Sequence, residues 1–262
     1  MALMEKVYEE IIQFVVSSGK RIAKIAGKIK DIGIKKQYLT EEDLAIERGM
    51  RAIILKHKPK HGFFAEEEHD SFPKDEDVWI VDPISGTKTF IQGLPHYGIA
   101  IAHTKSGITQ FGAVYDPSAN ELFTAYRGKG AFLNGKKISI SKPNKKLKVV
   151  LNLSLQWKDE KSAQKIKQQL SLFDVETNQN SFGVNLCHLA CGRFDGTITF
   201  CKDTFPIFAG ALIIQEAGGT FTNDLGNSNI SQKDRIFVGG NKEAYKQLWE
   251  VLRKMKLPKS LS

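Results

Sequence analysis

A four-residue apolar run, Val78-Trp79-Ile80-Val81, stops at Asp82-Pro83, and few segments of the chain restrict its fold as much. Side chains that are apolar on both sides of an extended segment predict a strand buried on both faces. Such a strand delivers the acid that follows it to one fixed place at the edge of a core. Segments 98–104, 111–115 and 121–125 read as further strands, separated by Lys105-Ser106-Gly107 and Asp116-Pro117-Ser118. Asn134-Gly135 predicts a hairpin between 131–133 and 138–140.

Helical spacing of Val7, Ile11, Phe14, Val15, Ile22 and Ile25 predicts an amphipathic helix over 4–26. Thr40, followed by Glu41, Glu42 and Asp43, has the pattern of an N-cap opening a helix over 44–57, which Pro59 closes. Beyond the polar stretch Lys142-Pro143-Asn144-Lys145-Lys146, strands are predicted at 149–153 and 196–200. Helices are predicted at 158–170, 183–191, 207–216 and 242–255. The polar stretch marks a domain boundary, giving an N-terminal α+β unit over 1–141 and a C-terminal α/β unit over 142–262. Strands and helices in alternating runs predict a layered α+β or α/β architecture.

Composition narrows the function classes. The 262 residues are 41% hydrophobic and 26% charged, as in ordinary globular domains. No apolar run approaches the roughly 18 residues that span a bilayer, and the acidic start MALMEKVYEE does not resemble a secretory leader. A cytoplasmic protein with no membrane association is expected. Three cysteines, Cys187, Cys191 and Cys201, cannot all pair and are expected as reduced thiols. The net charge of +9 suits phosphorylated or nucleic-acid partners, but the basic residues are dispersed rather than interleaved with aromatics.

The chemistry concentrates in two acidic features, Glu66-Glu67-Glu68 and Asp82-Pro83-Ile84-Ser85-Gly86-Thr87. Magnesium takes hard oxygen ligands, so carboxylates at a strand end and the Ile84 carbonyl suit it. Gly86 lets the backbone approach an anion, and the Gly86 and Thr87 amides would open a helix whose N-terminus favours phosphate.

These residues carry a resemblance to the inositol monophosphatase family, nearest its bacterial extragenic-suppressor-type members. His61-Gly62-Phe63-Phe64-Ala65-Glu66-Glu67 resembles the family's glutamate motif, and Trp79 to Phe90 resembles its WxxDPxDGTxxF loop. Gly93 to Tyr97, Gly112 to Pro117, the hairpin Gly128 to Gly135 and Glu216-Ala217-Gly218-Gly219 continue it over most of the chain. The resemblance implies a layered α/β/α/β/α sandwich, the sugar phosphatase fold, and Mg²⁺-dependent hydrolysis of inositol monophosphate or a related small phosphate monoester. It implies that Glu66, Asp82 and the Ile84 carbonyl bind the metal, and that Thr87 and Glu67 act in catalysis. Ser85, Gly86 and Thr87 would bind phosphate. A homodimer and lithium sensitivity are likewise implied.

The chain departs from the family pattern at three positions: Gln37, Ser85 and Pro206 stand where the family has aspartates. Losing carboxylates there weakens a second metal, so activity is expected to be impaired. Thr199 and Asp203 mark the remaining candidate substrate or second-metal region, with Asp203 expected as a solvated loop acid and Asp43 as a structural one. Two alternatives follow: a catalytically impaired binding protein acting on RNA or a transcription complex, and a nucleotide 3′,5′-bisphosphatase.

Overall fold

The structure, a computed structural model, describes residues 2–34, 38–67, 71–153, 160–178 and 180–255. Gln37 and Glu68 lie outside the described residues.

Alternation along the apolar run settles the centre of the fold. β1 (Gly62–Ala65) pairs in parallel with β2 (Asp77–Ser85). Trp79 and Val81 of β2 point into one core, Val78 and Ile80 into another, following the two-residue period of a strand. β3 (Gly98–Lys105), β4 (Ile108–Asp116), β5 (Glu121–Tyr126), β6 (Gly130–Leu133) and β7 (Lys136–Ile138) then add in chain order as antiparallel neighbours, completing a seven-stranded sheet. Asn134 and Gly135 connect β6 to β7 with both φ angles positive, as the Asn-Gly pair predicts.

One face of this sheet is covered by α1 (Ala2–Ala23) and α2 (Glu41–His57), through Val7, Ile11, Val15, Ile46, Met50 and Ile54. Thr40 caps α2 with a reciprocal capping box to Asp43. The other face is covered by α5 (Phe182–Ala190) and α6 (Phe205–Glu216). Ten consecutive residues of α6, Phe205 to Ile214, are buried, because this helix lies between two sheets and has no solvent face.

The second sheet has the order β11-β12-β10-β8-β9, with β8 (Lys148–Leu153), β9 (Asp174–Asn178), β10 (Gly196–Phe200), β11 (Thr220–Asn223) and β12 (Ile236–Gly240). Its far face is closed by α4 (Glu160–Gln169) and α7 (Lys242–Lys254), through Ile166, Ala244, Leu248 and Leu252. The layers therefore run helix, sheet, helix, sheet, helix, the sandwich expected from the sequence. The first sheet ends at Ile138 and the second begins at Lys148, yet α5 and α6 pack back on the first. β1, β9, β11 and β12 are additions to the strands expected from sequence. Among the described residues no helix is long and apolar enough to cross a membrane.

Candidate active site

The parallel register of β1 on β2 places Ala65 beside Val81, and the Glu66 amide donates to the Val81 carbonyl at 3.2 Å. One step further along both strands stand Glu66 and Asp82. Two carboxylates thus leave adjacent strand ends on the same side, although sixteen residues separate them in the chain. The ladder between β2 and β3 shifts register between Asp82 and Ser85, at the proline, where a missing N–H is least disruptive. The chain then turns through Gly86 at φ +84° into the five-residue helix α3 (Thr87–Ile91). A Cβ on Gly86 would lie 3.0 Å from the Ser181 amide nitrogen, so glycine is required there by both space and backbone angle.

Asp82 is 3% exposed, and its Oδ1 is buried with no hydrogen-bond partner. Burial first, then the Glu66 and Asp203 carboxylates, hold its carboxyl well above the usual range, while contact with Ser85 favours the anion. Asp203, expected as a solvated loop acid, is instead brought to Asp82 by the short turn between β10 and α6. Glu66, Asp82 and Asp203 line one cleft with Ile84, Ser85, Gly86, Thr87, Lys88, Lys202 and Pro206, enclosing about 200 Å³. Burial, with Asp203 adding to it, pushes the Cys201 thiol far up, so Cys201 lines the wall as a neutral thiol.

A second group of residues converges on Thr87. Its hydroxyl lies 2.8 Å from the Ile84 carbonyl, to which it donates, and 3.4 Å from Asp43 Oδ1. Asp43 accepts from the Thr40 amide at 2.8 Å and from the Thr40 hydroxyl at 2.5 Å. Burial is the main cause that pushes the Asp43 carboxyl up to about 7, with Glu67 and Glu66 adding repulsion. Asp43 was expected to be structural. It does cap α2, but it also reaches the cleft threonine. Glu67 stands behind this group, its amide held by Glu47 Oε2 at 3.1 Å. The cleft also includes Asn180, which accepts from the Thr89 hydroxyl at 3.3 Å.

Thr199 is placed elsewhere. It is fully buried in β10, accepts from Asn152 Nδ2 at 2.9 Å, and does not line the cleft. The sequence pattern gave no sign of Asn152, and a strand threonine in a polar pair looks the same locally as one facing a ligand.

The donor set suits one hard divalent cation. Glu66, Asp82 and the Ile84 carbonyl offer oxygens, and the orphaned Asp82 Oδ1 needs a partner. A different trio, His61, Asp77 and His103, has ligand atoms within 4.8 Å of one another at the opposite end of β2. There the imidazoles already have partners. Trp79 Nε1 donates to His61 Nδ1 at 3.1 Å, Tyr8 OH donates to His103 Nδ1 at 2.9 Å, and His103 Nε2 donates to Asp77 at 3.0 Å. A metal on either bonded nitrogen would displace one of these contacts, so the trio is held as a hydrogen-bonded brace.

The model of the inositol monophosphatase family matches residues 3–257. The Nus factor SuhB of Pseudomonas aeruginosa is 30% identical over 259 residues, covering 95% of this chain and 93% of that protein. The inositol-1-monophosphatase of Rhizobium meliloti is 30% identical over 253 residues, covering 93% and 95%. Among solved structures, the extragenic suppressor protein suhB of Bartonella henselae superposes with a TM-score of 0.85 at 25% identity, covering 95% of this chain and 99% of that one. The Thermotoga maritima IMPase gives 0.82 at 26% identity, covering 94% and 96%.

Proposed function

This chain belongs to the inositol monophosphatase family, and from that premise we propose that it hydrolyses small phosphate monoesters, inositol monophosphate or a related ester, with Mg²⁺ held in the Glu66–Asp82 cleft. One observation carries the reading: a buried carboxylate oxygen without a partner, crowded by two further carboxylates. A bare cluster of this kind is costly, and a divalent cation bound there removes both the repulsion and the orphaned acceptor.

Glu66, Asp82 and the Ile84 carbonyl would hold the ion, which supplies charge neutralisation at the phosphoryl group and a more acidic bound water. Thr87 orients the attacking water, because its hydroxyl sits between the Ile84 carbonyl and Asp43. Asp43, with its carboxyl near 7, is matched to accepting a proton at neutral pH. Glu67 holds the glutamate loop against α2 through Glu47. Gly86 and Thr87 present backbone amides ahead of Thr89, the first residue to donate back to the Gly86 carbonyl, and Ser85 completes the phosphate-facing turn. Ser85 and Pro206 supply no carboxylate, which weakens a second ion and slows turnover. A cytoplasmic homodimer completes the proposal.

Steady-state release of phosphate from inositol phosphates, glycerol 2-phosphate and nucleotide monophosphates under titrated Mg²⁺ tests this reading. Slow, Mg²⁺-dependent hydrolysis is expected. Hydrolysis indifferent to Mg²⁺ and to chelator would end the proposal, and rapid turnover would end the claim of weakening. The double variant Ser85→Asp with Pro206→Asp should tighten metal binding.

A second reading has its own support. Relatives carry the name Nus factor, and the net charge of +9 suits an RNA or transcription-machinery partner. Salt-sensitive RNA binding by a chain that hydrolyses no phosphate monoester would favour it.

A further inference from the structure

We infer that Lys88 and Lys202 are the anion-binding cations of the cleft, taking the substrate phosphate as ammonium donors on the side where Ser85 and Pro206 supply no carboxylate. The inference rests on the phosphomonoester reading above and names how that substrate is held.

The carboxylates of the cleft are gathered around one point. Glu66 and Asp203 both act on Asp82, and Ser85 is in contact with the same carboxyl. The rest of the lining offers no anionic oxygen. Leu153 and Phe182 are apolar, Pro206 has neither a polar side chain nor an N–H, and Thr89 is bonded to Asn180. Among the described lining residues, positive charge comes from Lys88 on α3 and Lys202 on the turn between β10 and α6. These are separate elements that contribute to the lining of one cleft. The Lys88 ammonium lies 5.7 Å from the centre of the Tyr38 ring, a contact that steadies the side chain without neutralising it. No ion pair of either lysine is formed among the described residues.

The volume fits one small ligand. About 200 Å³ lies below the roughly 300–1,000 Å³ of drug-sized sites, which suits a small anion within reach of lysines on both lining elements. A lysine is a compact charge with three rotatable donors, suited to a phosphate whose oxygens move as its ester bond breaks. Unlike a second metal, it needs no carboxylate ligands, which matches a cleft carrying Ser85 and Pro206.

The test uses the full chain, inorganic phosphate as the probe, and the variants Lys88→Met, Lys202→Met and Lys88→Arg, each checked by its thermal transition. Calorimetric titration at saturating Mg²⁺ measures phosphate affinity, and Mn²⁺ titration followed by electron paramagnetic resonance counts ions. The expected result is one Mn²⁺ per chain in every form, with phosphate binding about tenfold weaker in each Met variant and largely kept in Lys88→Arg. Phosphate affinity unchanged in both Met variants would overturn the inference, as would a second Mn²⁺ whose occupancy sets phosphate affinity. The two readings fail separately. Lysine-dependent phosphate binding without ester hydrolysis would sink the hydrolase reading alone. Hydrolysis untouched by both Met substitutions would sink the lysine assignment alone.

Discussion

The two ends of β2 carry the same residue type in opposite states. At its start, Asp77 accepts from His103 Nε2 at 3.0 Å, and the network continues through Tyr8. At its end, Asp82 has an oxygen with no partner and two acidic neighbours. One strand, buried along its length, thus delivers one carboxylate into a satisfied brace and the other into an unsatisfied cleft. Satisfied buried polar groups hold a fold in register. An unsatisfied one is tolerated where a ligand completes it. The difference separates structural from functional acids without reference to the residue type.

The largest effect should come from breaking the cleft end. Asp82→Asn is expected to lower Mg²⁺-dependent hydrolysis by roughly 10²–10³-fold, the scale of losing a transition-state charge contact. Its unfolding midpoint in chelator should hold or rise, since a crowded buried carboxylate is removed. A fall in that midpoint comparable to the loss of activity would show Asp82 to be structural. Next comes acid titration of the brace. His103 is fully buried, and burial above all pushes its imidazole down to about 4, from 6.5 in the unfolded chain. Between pH 6.5 and 4 the unfolded chain therefore binds more protons at this imidazole, so the brace's contribution falls as pH drops through that window, opposite in sign to that of the raised Asp43 and Asp82 carboxyls. The contribution at stake is on the order of 3 kcal/mol. Urea unfolding of the parent chain and of His103→Gln at pH 7 and pH 4.5 isolates it: the variant should lose less stability, or gain more, on acidification than the parent.

How much of this contrast was legible in the chain depends on how local each signal is. The apolar run before Asp82-Pro83 announced both a buried strand and an acid at its end, because burial on both faces leaves a mark in four consecutive residues. A layered α+β or α/β architecture followed from the order of strand-like and helix-like runs, while the five-layer sandwich was implied only by the family resemblance. Asp43 showed only its capping role, since Thr40 lies three residues away while Thr87 lies forty-four away. Asp203 looked like a loop acid because nothing in Lys202-Asp203-Thr204 encodes a turn that folds back on β2. The brace was invisible for the same reason: Tyr8 and His103 are ninety-five residues apart and share no periodicity. β9 escaped notice because Asp174-Val175-Glu176-Thr177-Asn178 is polar, as an edge strand can be.

Adding metal sharpens the comparison further. Mg²⁺ at about 100 times its Kd should stabilise the folded chain by about 2.7 kcal/mol. The gain should vanish in Asp82→Asn and survive in Asp77→Asn, as read by denaturant midpoints with and without Mg²⁺. Zn²⁺ stabilisation lost in Asp77→Asn but not in Asp82→Asn would instead make the His61–Asp77–His103 trio a metal centre.

The smallest expected effect tests whether the brace is held by its hydrogen bonds or only by packing. Tyr8 stacks on Phe111 with ring centres 4.2 Å apart and meets Trp79 edge-on at 5.7 Å, so Tyr8→Phe keeps the aromatic contacts. What it removes is the donor to His103 Nδ1, leaving a buried acceptor unpaired. The expected cost is about 1 kcal/mol in urea unfolding at pH 7, with hydrolysis unchanged. A neutral substitution would mean that stacking alone positions His103 and that Asp77 is satisfied by accident of packing. The acid at the start of β2 would then no longer serve as the structural counterpart of the acid at its end.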